Sequence, residues 1–271
     1  MSGQTKKLLF SNPEFIMLSM LLGTDKIIGF DDAEGIAQMD EEQLAGKWSE
    51  VKQGLQEKGY IKEETDDSLQ IEEDVCSLIN HYINSDRYLQ ILIAKKGMDI
   101  SDEFLFFVER ESINFTVSPD DNGVTGTIAN GSFTVKQILQ RYIDVSGEIE
   151  KIIVTGNKAV LSKARYYEFM SYMNLGELAK FERLLADAGM DENAASDAAE
   201  CFLNKEEFVN ITGVSVSNPT ILPWMMMFLF GKHSIFSMNV NENCEETFIL
   251  TAMDKNDFWE TISDAVDERL V

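Results

Sequence analysis

The sequence predicts an α+β protein made of two pseudo-symmetric halves, about 1–147 and 148–271, that form a broad antiparallel β-sheet flanked by helices. Three observations lead to this fold class. Apolar residues recur at helical spacing in several segments, groups of short alternating segments are typical of β-meanders, and the order of these segments repeats along the chain. The chain has 271 residues, of which 44% are hydrophobic, which is enough for one large core or two modest ones.

The N-terminal part predicts a winged-helix-like arrangement. Ser11-Asn12-Pro13 supplies an N-cap and a first-turn proline for an apolar helix that ends at Gly23. A second helix, about 40–58, ends at Gly59, where a left-handed cap is favourable, and the polar centre of 61–71 predicts a short hairpin. A third helix follows, and its apolar face carries Val75, Leu78, Ile79, Tyr82 and Ile83.

Extended structure is predicted next. Alternating residues indicate the four strands of a β-meander, over 88–93, 104–108, 113–117 and 124–128. Thr134 and Gln137 form a capping-box pattern that opens a helix. We then expect a strand around 149–154 and long helices over about 163–186 and 191–203.

The two halves share an order of segments at a distance of about 120 to 130 residues. Leu55 to Tyr60 resembles Leu185 to Met190, because each is a helix end followed by glycine and an apolar residue. Asn84 to Ile91 resembles Asn204 to Ile211, and both lead into a strand. We interpret the order as an internal duplication, in which the two meanders join edge to edge and so remove an exposed edge from each.

Charge and composition exclude several functional classes. The chain has 47 acidic and 23 basic residues and a formal charge of −24, which repels nucleic acid backbones. The apolar run Ile221 to Phe230 is about half of the roughly 20 residues that span a bilayer, and the N-terminus lacks a signal-peptide pattern. We therefore expect a cytoplasmic protein with no nucleic acid partner and no membrane insertion. Cys76, Cys201 and Cys244 suggest neither a disulfide framework nor a zinc site.

The sequence offers no constellation for catalysis. The two histidines, His81 and His233, have no cysteine or carboxylate at metal-ligand spacing. No glycine-rich phosphate loop or hydrolase elbow is found. Residues 120–123, Asp-Asp-Asn-Gly, are better explained as a hairpin turn than as a calcium loop. We expect no catalytic residues, no metal and no cofactor.

Alternation in the predicted hairpins favours a surface that binds a partner. Ile113, Phe115 and Val117 share one face, which leaves small polar residues on the other face. Including the second half, the candidate partner-binding residues are Asn114, Thr116, Thr125, Thr127, Ser237, Asn239, Thr247, Ile249 and Thr251. A sheet face of this composition is either plain solvent surface or a docking platform, and for the set as a whole we favour a platform.

The order of these features resembles the EspG family of type VII secretion chaperones. The resemblance rests on an apolar first helix, a helix ending in Lys58-Gly59-Tyr60-Ile61, a short acidic hairpin, Asn84-Ser85-Asp86-Arg87 and a strand over Tyr88 to Ile93. It covers nearly the whole chain in layout. Ser85 stands where the family usually has proline, and the composition is low in proline with many lysines and methionines. This composition fits an EspG-like branch of the Firmicutes type, from bacteria of lower GC content.

The resemblance implies a single EspG-like domain, 1–271, that acts as a cytosolic chaperone without catalysis or cofactor. Its partner would be a helical secreted protein or a toxin arm, kept soluble for export and bound by the sheet face and adjoining C-terminal helices, and the chaperone would be a monomer or weak dimer. Two alternatives stay open. One is an immunity protein that neutralises a basic toxin, and the other is a winged-helix regulator, which the acidic helix 40–58 disfavours.

Overall fold

The computed structural model describes most of the chain. The described residues are 6–24, 27–28, 35–36, 38–63, 68–95, 100–108, 111–118, 123–128, 135–142, 157–204, 207–217, 223–231, 233–240 and 247–270. For residues 111–118 and 123–128 the backbone alone is described. The strand predicted around 149–154 and the turn 120–122 lie outside this part of the chain.

The described part contains helices and antiparallel strands. The helices are α1 (Asn12–Leu21), α2 (Glu41–Glu57), α3 (Glu73–Ile83), α4 (Val135–Tyr142), α5 (Lys163–Leu175), α6 (Leu178–Asp187), α7 (Glu192–Asn204) and α8 (Lys255–Leu270). The strands are β1 (Lys6–Ser11), β2 (Ile61–Glu63), β3 (Leu69–Ile71), β4 (Arg87–Lys95), β5 (Ser101–Val108), β6 (Glu111–Ser118), β7 (Gly123–Ile128), β8 (Lys158–Ser162), β9 (Glu207–Ser215), β10 (Trp224–Phe230), β11 (Ile235–Val240) and β12 (Thr247–Met253). The predicted α+β class, with antiparallel sheet and flanking helices, is confirmed.

The chain forms two compact units that interleave along the sequence. Unit 1 comprises Met1–Gln90, Ser101–Phe133 and Val214–Leu222, and unit 2 comprises Ile91–Ile100, Thr134–Gly213 and Pro223–Val271. The predicted halves 1–147 and 148–271 are contiguous, whereas the compact units are not. The internal duplication that would explain these two halves stays a prediction.

Unit 1 has the strand order β1-β7-β6-β5-β4, with β4 contributing its first residues to this unit. The meander therefore ends with β7 returning to β1, where Phe10 lies opposite Val124. Sequence reasoning missed β1, since a six-residue strand pairs here with a segment more than a hundred residues away. Tyr60 protects the outer edge of β1, because its hydroxyl accepts a 3.0 Å hydrogen bond from the Leu9 N–H.

The core of unit 1 is built on α1, which is buried as predicted. The Phe15 ring packs edge-on against the rings of Phe10 and Tyr82, with centroids 5.8 and 4.9 Å away. The predicted apolar face of α3 is also confirmed, since Leu78 and Ile79 are fully buried in the same cluster. Burial of these rings and aliphatic side chains supplies most of the stabilising free energy of the unit.

The described residues between α1 and α2 add apolar contacts to this core. Ile27, Ile28, Ile36 and Met39 all pack against it. The Tyr82 hydroxyl accepts a hydrogen bond from the Ile28 N–H at 2.6 Å and donates one to the Ile28 carbonyl at 3.2 Å. Burial raises the pKa of this hydroxyl above its ordinary value, so it stays neutral and able to donate.

The predicted winged-helix features are present in unit 1. Strands β2 and β3 form the hairpin, with Ile61 opposite Ile71, between α2 and α3. Lys52 on α2 forms an ion pair with Glu63 on β2 and lowers the pKa of the Glu63 carboxyl. Glu63 is exposed and Lys52 is partly exposed, so solvent screens the pair and it orients the hairpin more than it stabilises the fold.

A buried carboxylate joins α1 to α2. Glu14 completes the capping box of α1 by accepting the Ser11 N–H at 2.6 Å, and it pairs with the Lys58 ammonium at 2.5 Å. Gly54 makes room for this carboxylate, because a Cβ at position 54 would lie 2.6 Å from the Glu14 Oε1 atom. The capping pattern was readable from sequence, but its second role in holding α2 was not.

Two glycines on α2 give a matched test of this contact. Gly46 has open space around its Cα, so Gly46→Ala should raise the free energy of unfolding by about 0.5–1 kcal/mol through helix propensity. Gly54→Ala should lower it by about 1 kcal/mol, because the Glu14 carboxylate must move. Urea unfolding followed by circular dichroism measures both. Equal effects in the two variants would show that the Glu14 contact has no energetic weight.

Unit 2 has the strand order β9-β10-β11-β12-β8, with β9 contributing its last residues to unit 1. Helices α5, α6 and α7 pack on one face of these strands, where Phe169 contacts the rings of Phe181 and Phe202 at 4.7 and 5.1 Å. Helix α8 packs on the other face through Phe258, whose ring lies 4.9 Å from that of Phe228.

The helix predicted over 163–186 is two helices. Gly176 ends α5 in the left-handed conformation, with φ of +68°, and α6 begins at Leu178. Because Gly176 adopts this conformation without a Cβ clash, the chain turns there and α6 packs against α5. The sequence prediction was wrong because apolar residues continue at helical spacing across the turn.

The predicted halves follow the same order of elements. In each half a strand is followed by helices, a four-strand meander and a last helix, and the last meander strand pairs with the first strand. The helix ends at Gly59 and Gly189 also match: the Tyr60 N–H donates to the Leu55 carbonyl, and the Met190 N–H donates to the Leu185 carbonyl. An internal duplication would produce such an order, and the duplication stays a prediction.

The stretch Asn84 to Arg87 anchors a distant segment of unit 1. The Asp86 carbonyl accepts the Val216 N–H at 2.7 Å, and the Asp86 N–H donates to the Phe107 carbonyl at 3.2 Å. Ser85, at the position where the resemblance to the EspG family would place a proline, donates its hydroxyl to the His81 carbonyl at 2.8 Å. The serine thus supplies a hydrogen bond to the end of α3 that proline could not supply.

Candidate protein-binding surface

The candidate residues of unit 1 lie on one face of β6 and β7. The register pairs Asn114 with Thr127 and Thr116 with Thr125, so the backbone brings the four positions together as the alternation predicted. Next to them on β1, Leu9 is the Cα partner of Thr125 and is 55% exposed.

On the neighbouring strand β5, the residues on the same face of unit 1 are buried. Leu105 is the Cα partner of Asn114, and Glu103 is the Cα partner of Thr116. Both β5 side chains are fully buried. At these two positions β5 therefore presents no exposed side chain on this face.

The candidate residues of unit 2 share one face of β11 and β12. Ser237 pairs with Thr251, and Asn239 pairs with Ile249. Asn239 and the β12 residues Thr247, Ile249 and Thr251 are partly exposed. The predicted grouping is thus present in the register of this unit as well.

Ser237 does not belong to an open surface. It is 1% exposed and is the Cα partner of Phe228, so it lies on the face that α8 covers through the contact between Phe258 and Phe228. The polar alternation of β11 places Ser237 correctly on this face. The alternation contains no information about α8, which packs there. The prediction that Ser237 belongs to an exposed platform is therefore corrected, because the residue is buried.

Strand β8 extends the open part of this face and was missed in the sequence. Ile249 pairs with Val160, Thr251 with Lys158, and Thr247 with Ser162. Lys158, Val160 and Ser162 are exposed, with Val160 at 43%. The alternation in the sequence could have indicated this strand, because Ala159 and Leu161 are buried and alternate with the exposed residues Lys158, Val160 and Ser162. We call these six residues, Lys158, Val160, Ser162, Thr247, Ile249 and Thr251, the β8–β12 surface.

The outer edge of β8 is covered by the turn between α6 and α7. The Val160 N–H donates to the Ala188 carbonyl at 3.0 Å, and the Asp191 N–H donates to the Asn157 Oδ1 atom at 3.0 Å. Strand addition at this edge would have to break these bonds. The β8–β12 surface is therefore suited to bind through side chains on its face.

The chemistry of the β8–β12 surface is that of a contact surface. Three of its residues are small hydroxyl residues and two are β-branched aliphatic residues, with Lys158 as the single charge. Hydroxyls can donate or accept hydrogen bonds, and a contact centre with little charge is typical of protein interfaces. Among the described residues, no group of three or more histidine, cysteine or acidic side chains is arranged to hold a metal ion.

The described helices do not include one that is both long and apolar enough to cross a membrane.

The sequence matches no protein-family model and no curated protein. A solved structure is similar, the Mycobacterium tuberculosis type VII secretion system chaperone EspG5 in complex with a PE25–PPE41 dimer, with a TM-score of 0.63, 11% sequence identity and coverage of 96% of both chains. The chain therefore shares its fold, over nearly its whole length, with a type VII secretion chaperone.

Proposed function

We propose that this protein is a cytoplasmic chaperone that binds a helical secreted protein, or the helical arm of a toxin, and keeps it soluble for export by a type VII system. The EspG-like fold supports this proposal, and the EspG5 structure contains a bound PE25–PPE41 dimer. The observation that carries it here is the β8–β12 surface, an exposed and weakly charged face beside α8. Binding and release would need neither catalysis nor a cofactor.

The proposal extends to the family and to the client. The chain would belong to a divergent, Firmicutes-type branch of EspG-like proteins, with Ser85 in place of proline and a formal charge of −24. That charge would steer a basic client towards the chaperone and raise its association rate more than its affinity. The four positions Asn114, Thr116, Thr125 and Thr127, which share one face of β6 and β7, are proposed as a second contact region.

The client can be identified by purifying the tagged protein from its host at moderate salt and identifying bound proteins by mass spectrometry. A helical secretion substrate that binds again as a purified protein would support the proposal. A folded basic enzyme inhibited by the chain would instead support the immunity alternative, and a complex of DNA-associated proteins would support the regulator.

Binding to the identified client should depend on the β8–β12 surface. Val160→Asp and Ile249→Asp each place a charge in a weakly charged contact and should weaken binding at least tenfold, which corresponds to about 1.4 kcal/mol. Isothermal titration calorimetry measures the effect. Leu21→Asp, at an exposed apolar residue on α1 in the other unit, is the matched control and should bind normally. Unchanged binding by both β8–β12 variants would exclude this surface as the site.

A further inference from the structure

Strand β10 carries a methionine that neither strand propensity nor core packing explains. Met225 is 56% exposed, and among the methionines that the structure describes it is the one with an exposed side chain. Its Cα partner on β9 is Thr212, and threonine and other β-branched residues are the usual choice at such strand positions. Methionine differs from them by its flexible side chain and its thioether sulfur. The sulfur is therefore the property that sets position 225 apart.

Two further methionines lie between Met225 and the core of unit 2. Met227 is two residues further along β10 and so on the same face of the sheet, and Met238 on β11 is the Cα partner of Met227. Both are partly buried and pack against the core cluster that α5, α6 and α7 form with the sheet. The burial of the side chains thus increases from Met225 to the other two. We call these three residues the methionine group.

An exposed thioether can be oxidised by a peroxide. The sulfur lone pair attacks one oxygen atom of hydrogen peroxide, the O–O bond breaks and the second oxygen leaves as water, so the sulfur loses two electrons and becomes a sulfoxide. The sulfoxide is polar, and methionine sulfoxide reductases convert it back to the thioether. At Met225 the new polar group lies at the surface. At Met227 or Met238 it would lie against an apolar core, where an unpaired polar group is destabilising.

We propose that the methionine group is an oxidation-sensitive site of unit 2. Hydrogen peroxide oxidises Met225 first, the hydrated sulfoxide makes Met227 more accessible, and oxidation of Met227 then loosens α7, which contacts β10. A sulfoxide reductase reverses both steps. The proposal does not depend on the proposed chaperone function, because the methionine group lies on the face of the sheet opposite the β8–β12 surface.

The order of oxidation tests the first step. The protein is treated with hydrogen peroxide, and the sulfoxide at each methionine is followed over time by peptide mass spectrometry. Met225 should react at least about tenfold faster than Met226, which is 8% exposed. Met226 is the matched control because it is the next residue on the same strand and faces the other side of the sheet. Equal rates at Met225 and Met226 would overturn the proposal.

Two variants of Met225 test the coupling to Met227. Met225→Gln places a polar side chain at the surface, as the sulfoxide does, and should raise the oxidation rate of Met227 at least about fivefold relative to Met225→Leu. Met225→Leu keeps the position apolar and contains no sulfur. Neither substitution changes a buried residue, so both variants should fold. Equal oxidation rates of Met227 in the two variants would contradict the coupling.

Hydrogen exchange tests the effect on α7. In the peroxide-treated protein the amides of α7 should exchange at least about tenfold faster, and treatment with a methionine sulfoxide reductase and a thiol reductant should restore the original rates. The double variant Met227→Leu/Met238→Leu keeps a similar side-chain volume without thioethers and should prevent the change. Because this variant retains Cys201 of α7, its protection would also exclude the thiol as the cause. Faster exchange in the double variant, or unchanged exchange in the native chain, would refute the loosening of α7.

Discussion

Replacing Phe169 with alanine should lower the free energy of unfolding by about 3–5 kcal/mol. Phe169 is 1% exposed and lies at the centre of the aromatic cluster of unit 2. Its ring packs edge-on against Phe181 and Phe202 and is stacked with Tyr166 at 5.8 Å. Truncation removes this buried apolar area and the three ring contacts, and it leaves a cavity that α5, α6 and α7 cannot fill without moving.

A residue two positions earlier on the same helix gives the control for this experiment. Tyr167 is also aromatic but is 63% exposed, so Tyr167→Ala should change the free energy of unfolding by less than about 0.5 kcal/mol. Urea denaturation of both variants measures the difference. A loss below about 1 kcal/mol in Phe169→Ala would show that the cluster repacks.

Local signals in the sequence predicted most elements correctly. Ser11 and Pro13 marked the start of α1, Gly59 marked the end of α2, and the register of β6 and β7 agrees with the alternation in both strands. These signals act over a few residues and depend on backbone conformation and side-chain period, which the sequence displays directly. The fold class followed from their order.

The errors concern packing between distant parts of the chain. Strand β1 was missed because its partner β7 is far away in sequence, and Ser237 was placed on an open face because nothing in β11 indicates that Phe258 packs nearby. The break at Gly176 was missed because a glycine within an apolar helical pattern does not by itself require a turn. The sequence therefore predicted which candidate residues share a face of the sheet, but only the structure shows which described residues of that face are exposed.

A close contact between β9 and β10 leads to the second large expected effect. Gly213 and Trp224 are Cα partners, and a Cβ at position 213 would overlap the indole ring of Trp224. The ring thus covers the glycine, as aromatic residues do when they compensate for the weak packing of glycine in a sheet. Because the indole is rigid and its nearest atoms belong to both rings, it cannot give way without a rotamer change.

Gly213→Val should therefore lower the free energy of unfolding by about 2–3 kcal/mol, despite the higher strand propensity of valine. The displaced indole should also shift tryptophan emission to longer wavelength. Thr212→Val is the matched control, because Thr212 is the Cα partner of Met225 on the opposite face of the same strand pair, and it should be nearly neutral.

A double-mutant cycle separates the contact with Trp224 from other effects of the valine. If the clash is the cause, Gly213→Val should cost less in a Trp224→Ala background than in the native chain, with a coupling free energy of about 1 kcal/mol or more. An equal cost in both backgrounds would instead assign the loss to the strand itself.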